Sequence, residues 1–276
     1  MINFFTNLKQ KFLPKYNDLD KDHYFIESNN QKIFFDVNDI ANRNLIRWSL
    51  KQSYNKSNAH KNIFYYEKKQ FSIMQSILGK SEVFWDIGCQ TGIYSLSAYF
   101  FQNIKKIISV DIMPVFINTL KKNIHLNKFD FKKFIILNVA VGSKLVSQTE
   151  YLASNSVMGV NFDYISKKSQ SIPRQNDLIK IDIEGWEHSY KETFFDFVKL
   201  NKPTLILGLH RDFLIKLTNN KISQNLICKD LMAIYKYTYF MDQKDNVSDI
   251  SQNENFASSF NDITPTVIFS ENKLTI

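Results

Sequence analysis

Four kinds of residue or run are scarce in this 276-residue chain, and each scarcity excludes something. There are two cysteines, Cys89 and Cys228, far apart and without metal or redox spacing, so a disulfide framework is excluded and a reduced, cytoplasmic protein is expected. Only four of the 35 basic residues are arginine (Arg43, Arg47, Arg174 and Arg211). Arginine dominates bidentate phosphate and base recognition, so the net charge of +8 reads as a solvated lysine surface and argues against a nucleic-acid partner. No apolar run approaches the ~20 residues that span a bilayer, which leaves only peripheral membrane contact open. Residues 1–16 carry Lys9, Lys11 and Lys15 but no apolar core or small-residue cleavage site, so no secretory leader is expected.

Glycine is the fourth scarcity. The chain has seven, and two stand four residues apart in Val83-Phe84-Trp85-Asp86-Ile87-Gly88-Cys89-Gln90-Thr91-Gly92. An apolar β-like run breaking into such a loop, followed by a helical run, is how α/β proteins hold a nucleotide-like ligand.

What is present fits that reading. Strand-like runs at 83–86, 106–111, 134–141, 178–183 and 204–209 alternate with helix-like runs at 93–101, 114–126 and 188–198. This rhythm predicts a parallel sheet with helices on both faces, and near-continuous apolar strands suit burial on both sides. Residues 24–27 and 32–37 flank a polar turn and read as a hairpin; 39–51 and 66–78 have helical spacing, the second closed by Gly79. The polar stretch 143–176 reads as a long functional loop, and 242–261 as a second polar connection between antiparallel strands at 237–241 and 264–270.

In open α/β sheets ligands bind beyond the C-terminal ends of the strands. Those ends here carry Asp86 and the glycine loop, then Asp111, then Asn138, Ala140 and Gly142, then Asp182-Ile183-Glu184-Gly185-Trp186-Glu187, then Gly208-Leu209-His210. Asp111, nineteen residues past Gly92, is spaced to accept both hydroxyls of a ribose; its alternative role is to cap the helix at Pro114. Dinucleotide loops place a second glycine where this chain has Gln90, and an acid, Asp86, precedes the first glycine. A carboxylate there would repel a pyrophosphate and favour a cationic ammonium or sulfonium, so the loop suits S-adenosylmethionine better than NAD.

These segments, with Val110-Asp111, Asn138-Val139-Ala140-Val141-Gly142 and Ile179-Lys180-Ile181-Asp182-Ile183-Glu184-Gly185-Trp186-Glu187, make residues 83–210 resemble the FkbM family of S-adenosylmethionine-dependent methyltransferases. The resemblance implies a Rossmann-like class I fold with a mostly parallel seven-stranded sheet. Residues 1–80, which match the family only loosely, read as an N-terminal extension packed on a methyltransferase domain over 81–276. By resemblance Asp86, Gly88, Cys89 and Gly92 shape the methionine side of the S-adenosyl-L-methionine site, Asp111 and Ile112 lie at the ribose, Asn138 and Val139 near the adenine, and Asp182 at the methyl-donor end. The family often has a glutamate two residues before His210, where this chain has Gly208. The implied activity is O-methylation of a small molecule or of a sugar in a glycan or glycolipid.

Removal of the acceptor's proton needs a base, and Asp182, Glu184, Glu187 and His210 are the candidates. Asp182 is best placed, and His210 has the better ordinary pKa. Glu187 has an alternative role in the first turn of the next helix, and Trp186 reads as packing. No tight ligand spacing supports a metal. The competing readings are an NAD-dependent oxidoreductase or epimerase, a nucleic-acid methyltransferase, and a cofactor-binding module without catalysis.

Overall fold

A computed structural model describes residues 23–28, 30–43, 45–46, 68–142, 159–219, 221–242, 246–253 and 265–275. The sheet at its centre follows from the apolar runs. Strands β3 (Val83–Ile87), β4 (Lys106–Asp111), β5 (Phe134–Asn138), β8 (Leu178–Ile181) and β9 (Thr204–Gly208) are parallel neighbours in the order β9-β8-β3-β4-β5. Beyond β9 come β12 (Thr266–Ser270), antiparallel to it, then β10 (Tyr237–Met241) and the short β11 (Val247–Asp249). The chain therefore has a Rossmann-like α/β fold, with eight strands in the main sheet among the described residues where seven were expected. The eighth, β11, lies in the polar connection, where three half-exposed or exposed residues give no apolar signal.

Alternation along each strand divides the core in two. Phe84, Ile107, Leu178 and Ile206 face one layer, and Trp85, Ile108, Ile179 and Leu205 face the other. Helices α1 (Lys68–Leu78), α2 (Ile93–Ala98) and α3 (Pro114–Leu126) contribute Phe71, Leu96 and Leu120 to the first layer. Helices α4 (Phe162–Ser169), α5 (Tyr190–Thr193), α6 (Phe195–Asn201), α7 (Arg211–Thr218) and α8 (Gln224–Met232) contribute Phe162, Tyr190, Val198, Leu214 and Leu231 to the second. Pro114 opens α3 at its first turn, where its missing N–H costs nothing.

The N-terminal hairpin forms as expected, from β1 (His23–Ser28) and β2 (Gln31–Asp36), and buries Tyr24, Ile26, Ile33 and Phe35 in the first layer. It is tied to the C-terminal end of α3. The Asn127 amide accepts from the Phe34 N–H at 2.7 Å and donates to the Phe34 carbonyl at 2.8 Å. One turn back, the buried Asn42 and Asn123 amides bond each other at 2.9 Å. Of the expected helix at 39–51, Asp39 is a bend before the first turn and residues 40–43 and 45–46 are helical; 44 and 47–51, and residues 66 and 67 of the next, lie outside the described residues.

Two expectations change. The run 134–141 is not one strand: β5 ends at Asn138, and β6 (Ala140–Val141) pairs in parallel with β7 (Gly159–Val160) in a small separate ladder. The far half of the expected loop 143–176 contains α4, capped by the Asn161 side chain accepting from the Tyr164 N–H at 3.0 Å; residues 143–158 lie outside the described residues. The expected helix at 188–198 is broken into a 3₁₀ turn at Trp186–Ser189, α5 and α6, with Phe194 at φ −137° between the last two.

Candidate cofactor and methyl-transfer site

The strand order reverses between β3 and β8, so the crevice of the sheet opens above these two strands. The glycine loop fills its floor. The Gly88 and Cys89 N–H groups both donate to the Val110 carbonyl, at 2.8 and 3.0 Å, and the Asp182 N–H donates to the Ile87 carbonyl at 3.0 Å. Gly88 has φ 82° and presses against the end of β8: a Cβ there would fall under 3.0 Å from the Asp182 carbonyl oxygen. Only glycine meets both demands. Gly92 closes the loop at φ 88° as the N-cap of α2, with Leu120 packed on its α-carbon.

Asp111 ends β4 beside this loop. Its Oδ2 accepts from the Gln90 N–H and its Oδ1 from the Met113 N–H, both at 2.8 Å. A carboxylate has about four acceptor positions, so two remain for the paired hydroxyls of a ribose. Burial raises the Asp111 pKa to about 6, and the two N–H donors only partly offset it. The Asn138 amide donates to the Asp111 and Ile112 carbonyls at 2.8 and 2.9 Å. Its side chain thus fixes the turn after β4.

Asp86 is placed differently from the sequence reading. As the fourth residue of β3 it points into the first core layer beneath the loop, fully buried, and accepts from Ser95 Oγ at 2.6 Å. Burial pushes its pKa up, against the pull of the Lys180 charge and the Ser95 bond. Asp86 thus lies beneath the loop, with its Oδ2 taken by Ser95. Cys89 is likewise buried, its thiol pushed up by burial and by the Asp111 and Asp86 charges, so it contributes backbone and bulk.

The other side of the crevice holds the charged side chains. Asp182, just past β8, keeps 27% of its side chain exposed; its Oδ2 accepts from Lys180 Nζ at 3.2 Å and its Oδ1 lies 3.4 Å from His210 Nε2. The other ring nitrogen of His210 lies 3.3 Å from Glu187 Oε1, which also accepts from the Ile183 N–H. Burial works against charge on both Asp182 and His210. Lys180 and His210 nevertheless hold the Asp182 pKa below its ordinary value, and Glu187, Asp182 and Glu184 raise that of His210 to about 9.

The four candidates for the base separate on this geometry. Glu187, Asp182 and Glu184 favour the charged form of His210, which its ordinary pKa alone does not suggest. Glu187 is fully buried in the 3₁₀ turn and serves His210 and the Ile183 N–H. Glu184 is exposed at φ 52°, with no hydrogen-bond partner described. Asp182 lies at the end of β8 with its pKa held low by Lys180 and His210, whereas burial raises that of Glu184. Lys180 is the residue the sequence reading missed, and its signal was a lysine inside Leu178-Ile179-Lys180-Ile181, a strand buried at all four positions. Among the described residues no group of three or more His, Cys, Asp or Glu is arranged to hold a metal, and no helix is long and apolar enough to cross a membrane.

Residues 70–171, under half of the chain, match the family model for ribosomal protein L11 methyltransferase (PrmA). None of the curated proteins matches the chain. Among solved structures, methyltransferase FkbM from Methylobacillus flagellatus KT is 16% identical with a TM-score of 0.44, covering 69% of this chain and 44% of that one. The S-adenosylmethionine-dependent O-methyltransferase from Thermotoga maritima is 8% identical with a TM-score of 0.43, covering 82% and 72%. TYW2 of M. jannaschii, in complex with AdoMet, is 11% identical with a TM-score of 0.39, covering 90% and 84%. The chain thus spans under half the length of the FkbM structure it resembles. The PrmA-like stretch contains the whole glycine loop, Asp111 and Asn138, and the cofactor these residues fit is S-adenosyl-L-methionine.

Proposed function

We propose that the chain is an S-adenosyl-L-methionine-dependent methyltransferase of FkbM type, acting in the cytoplasm on a hydroxyl of a small molecule or of a sugar in a glycan or glycolipid. The observation that carries the reading is Asp111: a carboxylate fixed by two backbone N–H bonds at the end of β4, beside the glycine loop, with acceptor capacity left over. Gly88, Cys89, Gly92, Asp111, Ile112, Asn138 and Val139 would hold the cofactor, Asp182 would face its reacting end, and Asp86 would support the loop. When bound, the cofactor supplies a methyl group on a positively charged sulfur.

The chain's own contribution is alignment and proton transfer. Holding the acceptor oxygen in line supplies much of the rate in a displacement of this kind. Asp182 would accept a hydrogen bond from the acceptor hydroxyl and take up its proton. A carboxylate held at low pKa is a weak base, which suits a proton that leaves late. His210, held charged by Glu187, orients Asp182 from behind. Residues 1–80 form the extension and 81–276 the catalytic domain; the acceptor-binding segment is drawn from 143–176.

The test is transfer of labelled methyl groups from S-adenosylmethionine to hydroxyl-bearing acceptors, with glycan and glycolipid extracts as the first pools. Labelling lost in Asp182→Asn but kept in Glu184→Gln supports the assignment of the base. Labelling of nitrogen, or of nucleic acid alone, would overturn the acceptor class.

A further inference from the structure

A lysine inside a parallel sheet needs an explanation, because a buried ammonium carries a desolvation cost of several kcal/mol unless it is paired. The Lys180 side chain is 4% exposed. Its Nζ donates to Asp182 Oδ2 at 3.2 Å and lies 4.7 Å from the centroid of the Tyr94 ring in α2. Tyr94 is held in turn: its hydroxyl accepts from Gln70 Nε2 at 3.0 Å, and Gln70 Oε1 accepts from Thr266 Oγ1 at 2.8 Å. The ammonium thus rests on a stack reaching from β12 through α1 to α2, and Asp86 is its register partner across β3.

The carboxyl of Asp182 extends from Lys180 over Gly208, on the neighbouring strand. A Cβ added at Gly208 would lie 3.2 Å from both Asp182 Cγ and Oδ1, tighter than packed atoms normally sit. The absent side chain is the space the carboxyl occupies. On its far side stands His210, backed by the buried Glu187. Lys180, Asp182, His210 and Glu187 form a row of alternating charge, and Asp182 is the carboxylate of that row at the crevice.

We propose that Lys180 is the positioning residue of the site and Gly208 its required gap: together they hold the Asp182 carboxylate over the end of β9, between Lys180 and His210, at the edge of the crevice. Gly208, which leaves the strand end without an acid of its own, is then the reason that Asp182 supplies one. The inference deepens the methyltransferase reading, but it concerns charge and geometry present without cofactor, so it can fail while that reading stands.

The titratable groups facing Lys180 and Asp182 include Asp86 of β3, Cys89 of the glycine loop, Tyr94 of α2, Glu184 and Glu187 of the turn after β8, and His210 at the head of α7. The experiment follows the Asp182 carboxyl carbon and the His210 ring by NMR against pH in the wild type, Lys180→Met, Lys180→Arg and Gly208→Ala, without cofactor. Asp182→Asn and His210→Gln assign the signals. In Lys180→Met the Asp182 midpoint should rise by about one pH unit, a tenfold gain in proton affinity, and Lys180→Arg should restore most of it. In Gly208→Ala the added methyl group displaces the carboxyl from His210, and the His210 midpoint should fall from about 9 towards its ordinary value. A folded Lys180→Met with an unmoved Asp182 midpoint overturns the proposal. If Lys180→Met does not fold, Gly208→Ala decides, and an unmoved His210 midpoint there overturns it equally. Calorimetric binding of S-adenosylmethionine to the wild type is the separate test of the function itself.

Discussion

Replacing Gly88 by alanine adds one carbon at the most constrained point of the loop, and two costs follow. At φ 82° an L side chain is strained by about 1–2 kcal/mol. The new Cβ also overlaps the Asp182 carbonyl oxygen, a backbone atom that no rotamer change moves, which adds about 1–3 kcal/mol of overpacking. Relief by shifting the loop strains the bonds from Gly88 and Cys89 to Val110 and from Asp182 to Ile87. The expected loss is about 2–5 kcal/mol, a large share of the ~5–15 kcal/mol that stabilises a typical domain. Urea unfolding at pH 7 reads it as a lowered midpoint with an unchanged slope. Calorimetry with S-adenosylhomocysteine should show at least about tenfold weaker binding, since about 1.4 kcal/mol of distortion at the loop suffices for that. Gly79→Ala is the control: its Cβ would sit at an ordinary 3.7 Å from the Ser76 carbonyl, and it should be neutral within about 0.5 kcal/mol. Gly88→Ala with wild-type midpoint and affinity would refute the account of the loop.

Gly92→Ala overlaps a side chain, so trimming its neighbour should help. Combined with Leu120→Ala it should cost at least about 1 kcal/mol less than the sum of the single losses, with the φ strain remaining; strict additivity in a denaturation cycle would contradict the packing. Asp177 accepts from the Glu82, Val83 and Arg174 N–H groups at 3.0, 2.8 and 2.8 Å, and Asp177→Ala should cost about 3 kcal/mol in the same assay by leaving those donors unpaired; a loss under about 1 kcal/mol would mean that water replaces them. Asp111 gives a pH prediction. Burial holds its folded pKa at about 6 against 3.8 for the free group, so the folded state binds this proton more tightly. Its cost to folding therefore grows as pH rises from about 4 to 6 and is constant above. Affinity for S-adenosylmethionine should run the other way, falling about tenfold from pH 7 to pH 5 as the acceptor is protonated. Calorimetry across that range showing constant affinity would exclude Asp111 as an ionised ligand.

Much of this fold was legible because the strands of a buried parallel sheet are apolar on both faces: 106–111 and 114–126 correspond to β4 and α3 residue for residue. Elements that bury little were not legible. Helix α4 buries only Phe162, Ile165 and Ser169 of its eight residues, and β11 buries none of its three. At the site, residue types and strand ends brought Asp111, Asp182, Glu187 and His210 into view, but their roles depend on neighbours distant in sequence. The charge of His210 depends on Glu187 and Asp182 beside it, and strand alternation turns Asp86 under the loop towards Ser95. Gly208 reads as a missing acid until the Asp182 carboxyl is seen in its place.

The central claim is that the glycine loop and Asp111 bind S-adenosylmethionine, and isothermal titration of the cofactor and its demethylated product into wild type and Asp111→Ala at pH 7.5 tests it most directly. The account predicts saturable one-to-one binding to the wild type. Asp111→Ala should bind about 10–100-fold more weakly, the share of hydrogen bonds to a charged acceptor. No binding to the wild type, or equal binding to both proteins, would contradict it.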